Sequence, residues 1–280
     1  MKTNKQQKIW FITGASKGFG LLLVRQLLDL GQKVAATSRT TDELIKAVDS
    51  TSENFLPLQV DLASDTSVKE AIAKTETAFG GIDVLINNAG YGIGGSLEDV
   101  SDNDIRSAFD INVFGVFNTI RHTLPLMRKQ QAGHIINIAS IAGIAPGSGW
   151  SAYSSTKSAV IGMSEGLAQD VKPLGITVTV VAPGAFRTSF LSKESLSLPQ
   201  KTESGYKTIN ETLHNYQNMD GKQAGNPEKG AAIMIQTAFE ENPPLYLLLG
   251  SDAYRRATTK FESQMAAFEN LKELTTSTDY

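Results

Sequence analysis

Short apolar runs stand between longer segments in which apolar residues recur at helical spacing. "KIWFIT" (8–13) has no polar alternation, as in a strand covered on both faces. A glycine-rich turn follows, then "FGLLLVRQLLDLG", a helix that stops at Gly31. The same reading gives strands at "KVAATS" (33–38), "NFLPLQV" (54–60), "IDVLINNAG" (82–90), "GHIINIAS" (133–140), "GITVTVVAPG" (175–184) and "PLYLLLG" (244–250). Helices are predicted at "TTDELIKAV", at "TSVKEAIAKTETAFGG", over roughly 101–130 and over roughly 151–172. "NPEKGAAIMIQTAFEEN" opens another, with an Asn cap and Pro at the first helical position. Strand and helix in alternation predict an α/β chain: a single-domain Rossmann fold, a doubly wound parallel sheet of about seven strands with helices on both faces.

Two stretches break the pattern. Residues from about 185 to 225 are polar and weakly periodic, and they interrupt the chain after the sixth strand. Long irregular segments in compact domains are usually functional, so this one is expected to be a lid over a substrate site. Residues from about 251 to 280 read as a helical extension with a polar tail. It is expected to alter or block an interface in a homo-oligomer, dimer or tetramer.

Composition narrows the chemistry. A net charge of −3 and a pI near 5.7 give no basic field for nucleic acid. The chain has no Cys, which removes disulfides, thiolate nucleophiles and Cys-based zinc sites. "MKTNKQQK" is polar, and no apolar run approaches a membrane span, so a soluble cytoplasmic protein is expected. His122, His134 and His214 are scattered and never share a metal-ligand spacing; surface or structural roles are expected, and no metal.

The loop "TGASKGFG" (13–20) lies between the first strand and the first helix. Gly14, Gly18 and Gly20 allow a tight turn and a close approach of backbone N–H groups to phosphate, and the helix N-terminus adds its positive end. Ser16, Lys17 and Phe19 fill the same loop. NAD-preferring sites commonly carry an acidic residue at the end of the second strand, to hold the ribose hydroxyls. This chain has Ser38 and Arg39 there. Arg39 can pair with a 2′-phosphate and Lys17 can join it, which favours NADP(H) over NAD(H).

"YSSTK" places Tyr153 and Lys157 four residues apart, on one face of a helix. Alone, that spacing is common by chance. Together with the loop, "DL" (61–62), "NNAG" (87–90), Asn112 in "FDINVFG", Ser140, and "PG" followed by Thr188, it resembles the short-chain dehydrogenase/reductase family in its compact form. The resemblance runs from residue 8 to about 188, and more weakly to about 250.

The resemblance implies the roles. Tyr153 would be the general acid in ketone reduction and the base in alcohol oxidation. Lys157 would lower the Tyr153 pKa and bind the nicotinamide ribose. Ser140 would hold the substrate oxygen. Asn112 would position a water that relays protons to Lys157, or would bridge helix backbone as a buried amide. Asp61 and Leu62 would lie by the adenine, and Asn88, Ala89 and Gly90 along the ribose and phosphates. Pro183, Gly184, Phe186 and Thr188 would lie on the nicotinamide side. The substrate wall is expected near Gly92–Gly95, Ile141–Trp150, Ala185–Phe190 and the lid, with Ile93, Ile141, Ile144, Ala145, Trp150, Phe186 and Phe190 supplying apolar surface. Lys193, Lys201 and Lys207 are the cations available in the lid.

These features predict an NADPH-dependent carbonyl reductase for a small hydrophobic ketone or aldehyde. The alternatives are an NAD-dependent secondary-alcohol or hydroxysteroid dehydrogenase and, from a different class, a dinucleotide-sensing protein without catalysis. The sensor reading is disfavoured because Asn112, Ser140, Tyr153 and Lys157 are all present.

Overall fold

The computed structural model describes residues 6–199 and 204–280, so Lys201 lies outside the described residues. In chain order the elements are β1 (Ile9–Ile12), α1 (Gly18–Asp29), β2 (Lys33–Ser38), α2 (Thr41–Val48), β3 (Phe55–Gln59), α3 (Asp65–Phe79), β4 (Val84–Asn87) and a two-residue β5 (Gly92–Ile93). There follow α4 (Asp102–Phe109), a π-helical turn (Asp110–Phe114), α5 (Gly115–Gln130), β6 (Gly133–Ile138), a short α6 (Ile141–Ile144) and α7 (Ser151–Val171). The chain ends with β7 (Ile176–Pro183), β8 (Leu196–Ser197), α8 (Lys207–Asn218), α9 (Pro227–Thr237), β9 (Tyr246–Leu249), α10 (Ser251–Asn270) and α11 (Lys272–Thr276).

Seven strands form one parallel sheet in the order β3-β2-β1-β4-β6-β7-β9. The absence of polar alternation in the strands follows from their two covered faces. Phe11, Leu85, Ile135 and Val178 pack with α3, α5 and α7. Their neighbours Trp10, Ile12, Ile86 and Ile136 point the other way, onto α1, α2 and α9. The chain runs outward from β1 to β3 and then returns to β4 on the other side of β1. That reversal opens a crevice at the carboxyl ends of β1 and β4, where open α/β sheets bind ligands.

A buried polar chain locks the sheet to its helices on the α5–α7 side. Asn87 and Asn137 are register partners on β4 and β6, and the Asn87 amide donates to Asn137 Oδ1 at 2.8 Å. Asn137 donates to Ser164 on α7 at 2.8 Å, and Thr119 on α5 donates to Asn87.

The polar segment after β7 holds more structure than its weak periodicity suggests. β8 pairs with β5, and α8 seats Leu213, Ile209 and Tyr216 against Trp150 and Ile93. Gly149 makes room for it: a Cβ there would stand 2.9 Å from Ile209. No helix among the described residues is long and apolar enough to cross a membrane.

Candidate active site

The loop after β1 opens the crevice. Gly14 takes φ +65°, and a Cβ on it would meet the Ala89 backbone at 2.7 Å. A Cβ on Gly20 would strike Gly14 O and Ala15. The turn after β4 is hydrogen-bonded into this loop. Thr13 Oγ1 accepts from the Asn88 and Ala89 amides at 3.0 Å each, and Asn88 Nδ2 donates to the carbonyls of Thr13 and Gly14 at 2.9 Å. Asn88 therefore holds the glycine loop in shape, the strand-end role for an "NNAG" turn. The N-terminus of α1 carries no side-chain cap at Lys17, so its first-turn amides stay available to an anion. An uncapped helix start and glycines packed too closely for side chains fit a bound pyrophosphate.

Beyond the loop lies a cavity of about 900 Å³. Ser16, Lys17, Gly18 and Phe19 line it, with Ser38, Arg39, Asp61 and Leu62 along the adenine side expected from sequence. Ala89, Gly90, Pro183, Gly184, Phe186 and Thr188 line it further on, as do Ser140, Tyr153 and Lys157. Gly20 and Asn112 lie behind the wall rather than in it.

Ser140, separated from the end of β6 by Ala139, caps α6, where its Oγ accepts from the Ala142 amide at 3.1 Å. Tyr153 and Lys157 are one turn apart on α7 and both buried. Burial pushes the Tyr153 phenol up from its ordinary value, and a side-chain hydrogen bond with Ser140 offsets part of that rise. Burial lowers Lys157 to about 8. Its ammonium donates to Ile138 O at 2.8 Å and lies 5.9 Å from the centroid of the Tyr153 ring. Desolvation is the larger influence on the Tyr153 phenol, and the Ser140 hydrogen bond opposes it.

Asn112 sits in the π-turn between α4 and α5, fully buried. Such turns often occur at functional sites. Its Oδ1 accepts from Tyr91 N at 3.0 Å, and its Nδ2 donates to Tyr91 O and to Thr156 Oγ1, which in turn donates to Tyr153 O at 2.7 Å. It thus bridges backbone. Asn112 Oδ1 and Lys157 Nζ also flank Gly90: a Cβ there would stand 3.0 and 3.4 Å from them.

The substrate wall differs in part from the sequence expectation. Ile141, Trp150, Phe186 and Phe190 line the cavity. Ile93 belongs instead to the core under α8, and Gly92–Gly95 pack beneath Leu196, Leu198 and Pro199. Ile144 and Ala145 turn outward, against Ala253 and Ala257 of α10. Lys193 lines the cavity, whereas Lys207 does not. Trp150 stacks edge-on with Tyr153 at 5.7 Å and with Tyr216 at 5.1 Å, and Phe190 lies 5.5 Å from Tyr153.

Sequence reading singled out none of Tyr216, Gln223, Asp252 and Arg256 on this wall, though the first two fall within the expected lid. Tyr216 had a signal, because Ile209, Leu213 and Tyr216 follow the i, i+4, i+7 spacing of a helix face. Asp252 had none. Its carboxylate accepts from Ala185 N at 2.8 Å and fills the space that a side chain on Gly184 would need.

The family model for short chain dehydrogenase matches residues 8–198. Oxidoreductase BOA17 of Botryotinia fuckeliana is 36% identical over 268 residues, covering 95% of this chain and 97% of that one. A 3-ketodihydrosphingosine reductase of Bacteroides thetaiotaomicron is 37% identical over 248 residues, covering 88% of each. The crystal structure of a short-chain dehydrogenase from Streptomyces avermitilis superposes with a TM-score of 0.90 at 33% identity, covering 97% of this chain and all of that one. With its parallel sheet, its cavity at the strand ends and these relatives, the chain belongs to the short-chain dehydrogenase/reductase family, oxidoreductases that act on CH–OH and C=O groups with a nicotinamide dinucleotide.

Proposed function

We propose that the protein reduces a hydrophobic ketone or aldehyde to the alcohol with NADPH. The observation that supports this most is the convergence of Ser140, Tyr153 and Lys157 on a large cavity whose far wall is aromatic: Trp150, Phe190 and Tyr216. NADPH, when bound, supplies the hydride. Ser140 Oγ holds the carbonyl oxygen beside Tyr153. Tyr153 gives its phenolic proton to that oxygen as the alcohol forms, a role suited to a phenol whose burial keeps it protonated. Lys157 holds positive charge beside the phenolate left behind and binds the ribose. Asn112 fixes the first turns of α7 through Thr156, and its free lone pair beside Gly90 can hold a water on the way to Lys157.

Arg39 and Lys17 support NADPH. Both line the cavity, and no acidic side chain stands at the end of β2, where ribose hydroxyls are held in NAD-preferring relatives. The ketone reduction named for the Bacteroides relative supports the direction and the apolar substrate.

The test follows 340-nm absorbance with NADPH or NADH and a panel of aryl, alicyclic and long-chain ketones. Wild type should consume NADPH in preference to NADH. Tyr153→Phe should lose about 10²–10⁴-fold in kcat while still binding NADPH. Arg39→Asp should shift the preference toward NADH. An unchanged NADPH/NADH ratio in that variant would remove Arg39 from the argument. NADPH binding without turnover of any ketone would favour the sensor reading.

A further inference from the structure

The segment after α8, which lines the cavity, carries a buried amide with nothing to bind. Gln223 is 2% exposed and lines the cavity, yet neither its Nε2 nor its Oε1 has a hydrogen-bond partner among the described residues. Its backbone is well held. Arg187 donates to Gln223 O through Nε and Nη2, at 3.3 and 3.1 Å. Two residues on, Gly225 exchanges hydrogen bonds with the strap after β7: Gly225 N donates to Ala185 O and Arg187 N to Gly225 O, at 3.0 Å each. The strap thus fixes where Gln223 stands but leaves its side chain unpaired. Buried amides without partners are rare, because each lost hydrogen bond destabilises the fold. Gln223 has a companion: Trp150 Nε1, on the same cavity, is also buried without a partner.

We propose that Gln223 is a recognition residue. Its amide reads a neutral ligand group that presents a donor and an acceptor side by side, a carboxamide or a hydroxyl, inside the cavity. A carboxylate or an ammonium would satisfy only one end of the amide. The group has two possible sources, the nicotinamide carboxamide and a polar substituent on the substrate away from the reacting carbonyl. The inference rests on the dinucleotide-dependent reading above.

The test uses Gln223→Met, which keeps the length of the side chain and removes its polarity. Melting temperature is measured without ligand, with NADPH, with 2′-phospho-ADP-ribose (the dinucleotide without its nicotinamide), and with paired ketones that do and do not carry a hydroxyl, each added to the NADP⁺-bound protein. Without ligand, the variant should melt no lower than wild type, because an unpaired buried amide has been removed. If the carboxamide is the partner, NADPH should bind about tenfold more weakly while 2′-phospho-ADP-ribose binds unchanged. If the substrate is the partner, NADPH should be unaffected and the hydroxylated ketone should lose about tenfold in affinity relative to its plain twin. A variant that melts well below wild type without ligand, or that binds every probe as wild type does, overturns the proposal. Because binding is read as a thermal shift, failure of the reductase reading shows separately, as wild type that binds NADPH and turns over no ketone.

Discussion

His134 shows how a single side chain can be fixed by its neighbours. Thr179 Oγ1 has one proton and donates it to Pro244 O at 2.7 Å. The 2.8 Å contact between Thr179 Oγ1 and His134 Nε2 must then be donated by the imidazole, which sets the Nε2–H tautomer. Burial, helped by the charge of Lys8, lowers the His134 pKa from 6.5 to about 4. The unfolded chain therefore binds the proton first as pH falls. Stability contributed by the neutral ring is whole above pH 6.5 and is lost toward pH 4, by about 3 kcal/mol. Urea titrations at pH 7 and pH 4 should show that loss in wild type, and a smaller one in His134→Asn. Lys157 runs over a different window. Its pKa is lowered from 10.5 to about 8, so the folded state releases this proton first and stability rises between about pH 8 and 10.5. Ketone reduction should fall over the same window as the ammonium is lost. A pH–rate profile that stays flat to pH 10 would deny Lys157 its charge role.

At the scale of elements, the site is a joint between two strand ends and a helical turn. The loop after β1, the turn after β4 and the π-turn before α5 meet around Thr13, Asn88, Gly90 and Asn112. Gly20→Ala places a methyl against backbone at Gly14 and Ala15, which cannot move without opening the loop. The expected outcome is a loss of about 1–3 kcal/mol in stability and weaker NADPH binding, read by calorimetry. The same change at Gly162, on the exposed side of α7 where nothing lies within 4 Å, should raise stability slightly. The contrast separates steric closure from helix propensity.

At the scale of the whole molecule, the C-terminal extension divides into two parts. The first turns of α10 bury Ala253 and Ala257 and bring Asp252 and Arg256 to the cavity wall, where Arg256 donates to Ala145 O. Beyond Lys260 no residue of the extension is buried; Phe261, Met265, Phe268 and Leu274 all stand exposed. A chain ending at residue 260 should keep its melting temperature and its ketone reduction. A chain ending at residue 250 should lose both, because Ala185 loses the carboxylate that holds the strap after β7. Size-exclusion chromatography of the 260-residue form would show whether the exposed aromatic face also carries subunit contact, as expected of an extension at an interface.

The sequence by itself determined the seven-stranded α/β sheet, because strands covered on both faces must be apolar throughout, and Phe11 and Trp10 show both directions occupied. It also determined the order of the motifs that meet in the cavity, since glycine spacing and Tyr-x3-Lys are local patterns. Only the tertiary structure decided the rest. Whether Ile93 or Ile144 faces ligand or core depends on α8 and α10, packed from far along the chain. The rise of the Tyr153 pKa comes from burial, which no spacing encodes. The unpaired amide of Gln223 and the carboxylate of Asp252 reach the site by packing across long sequence separations, and a separation of that kind leaves no periodic trace in the residues themselves.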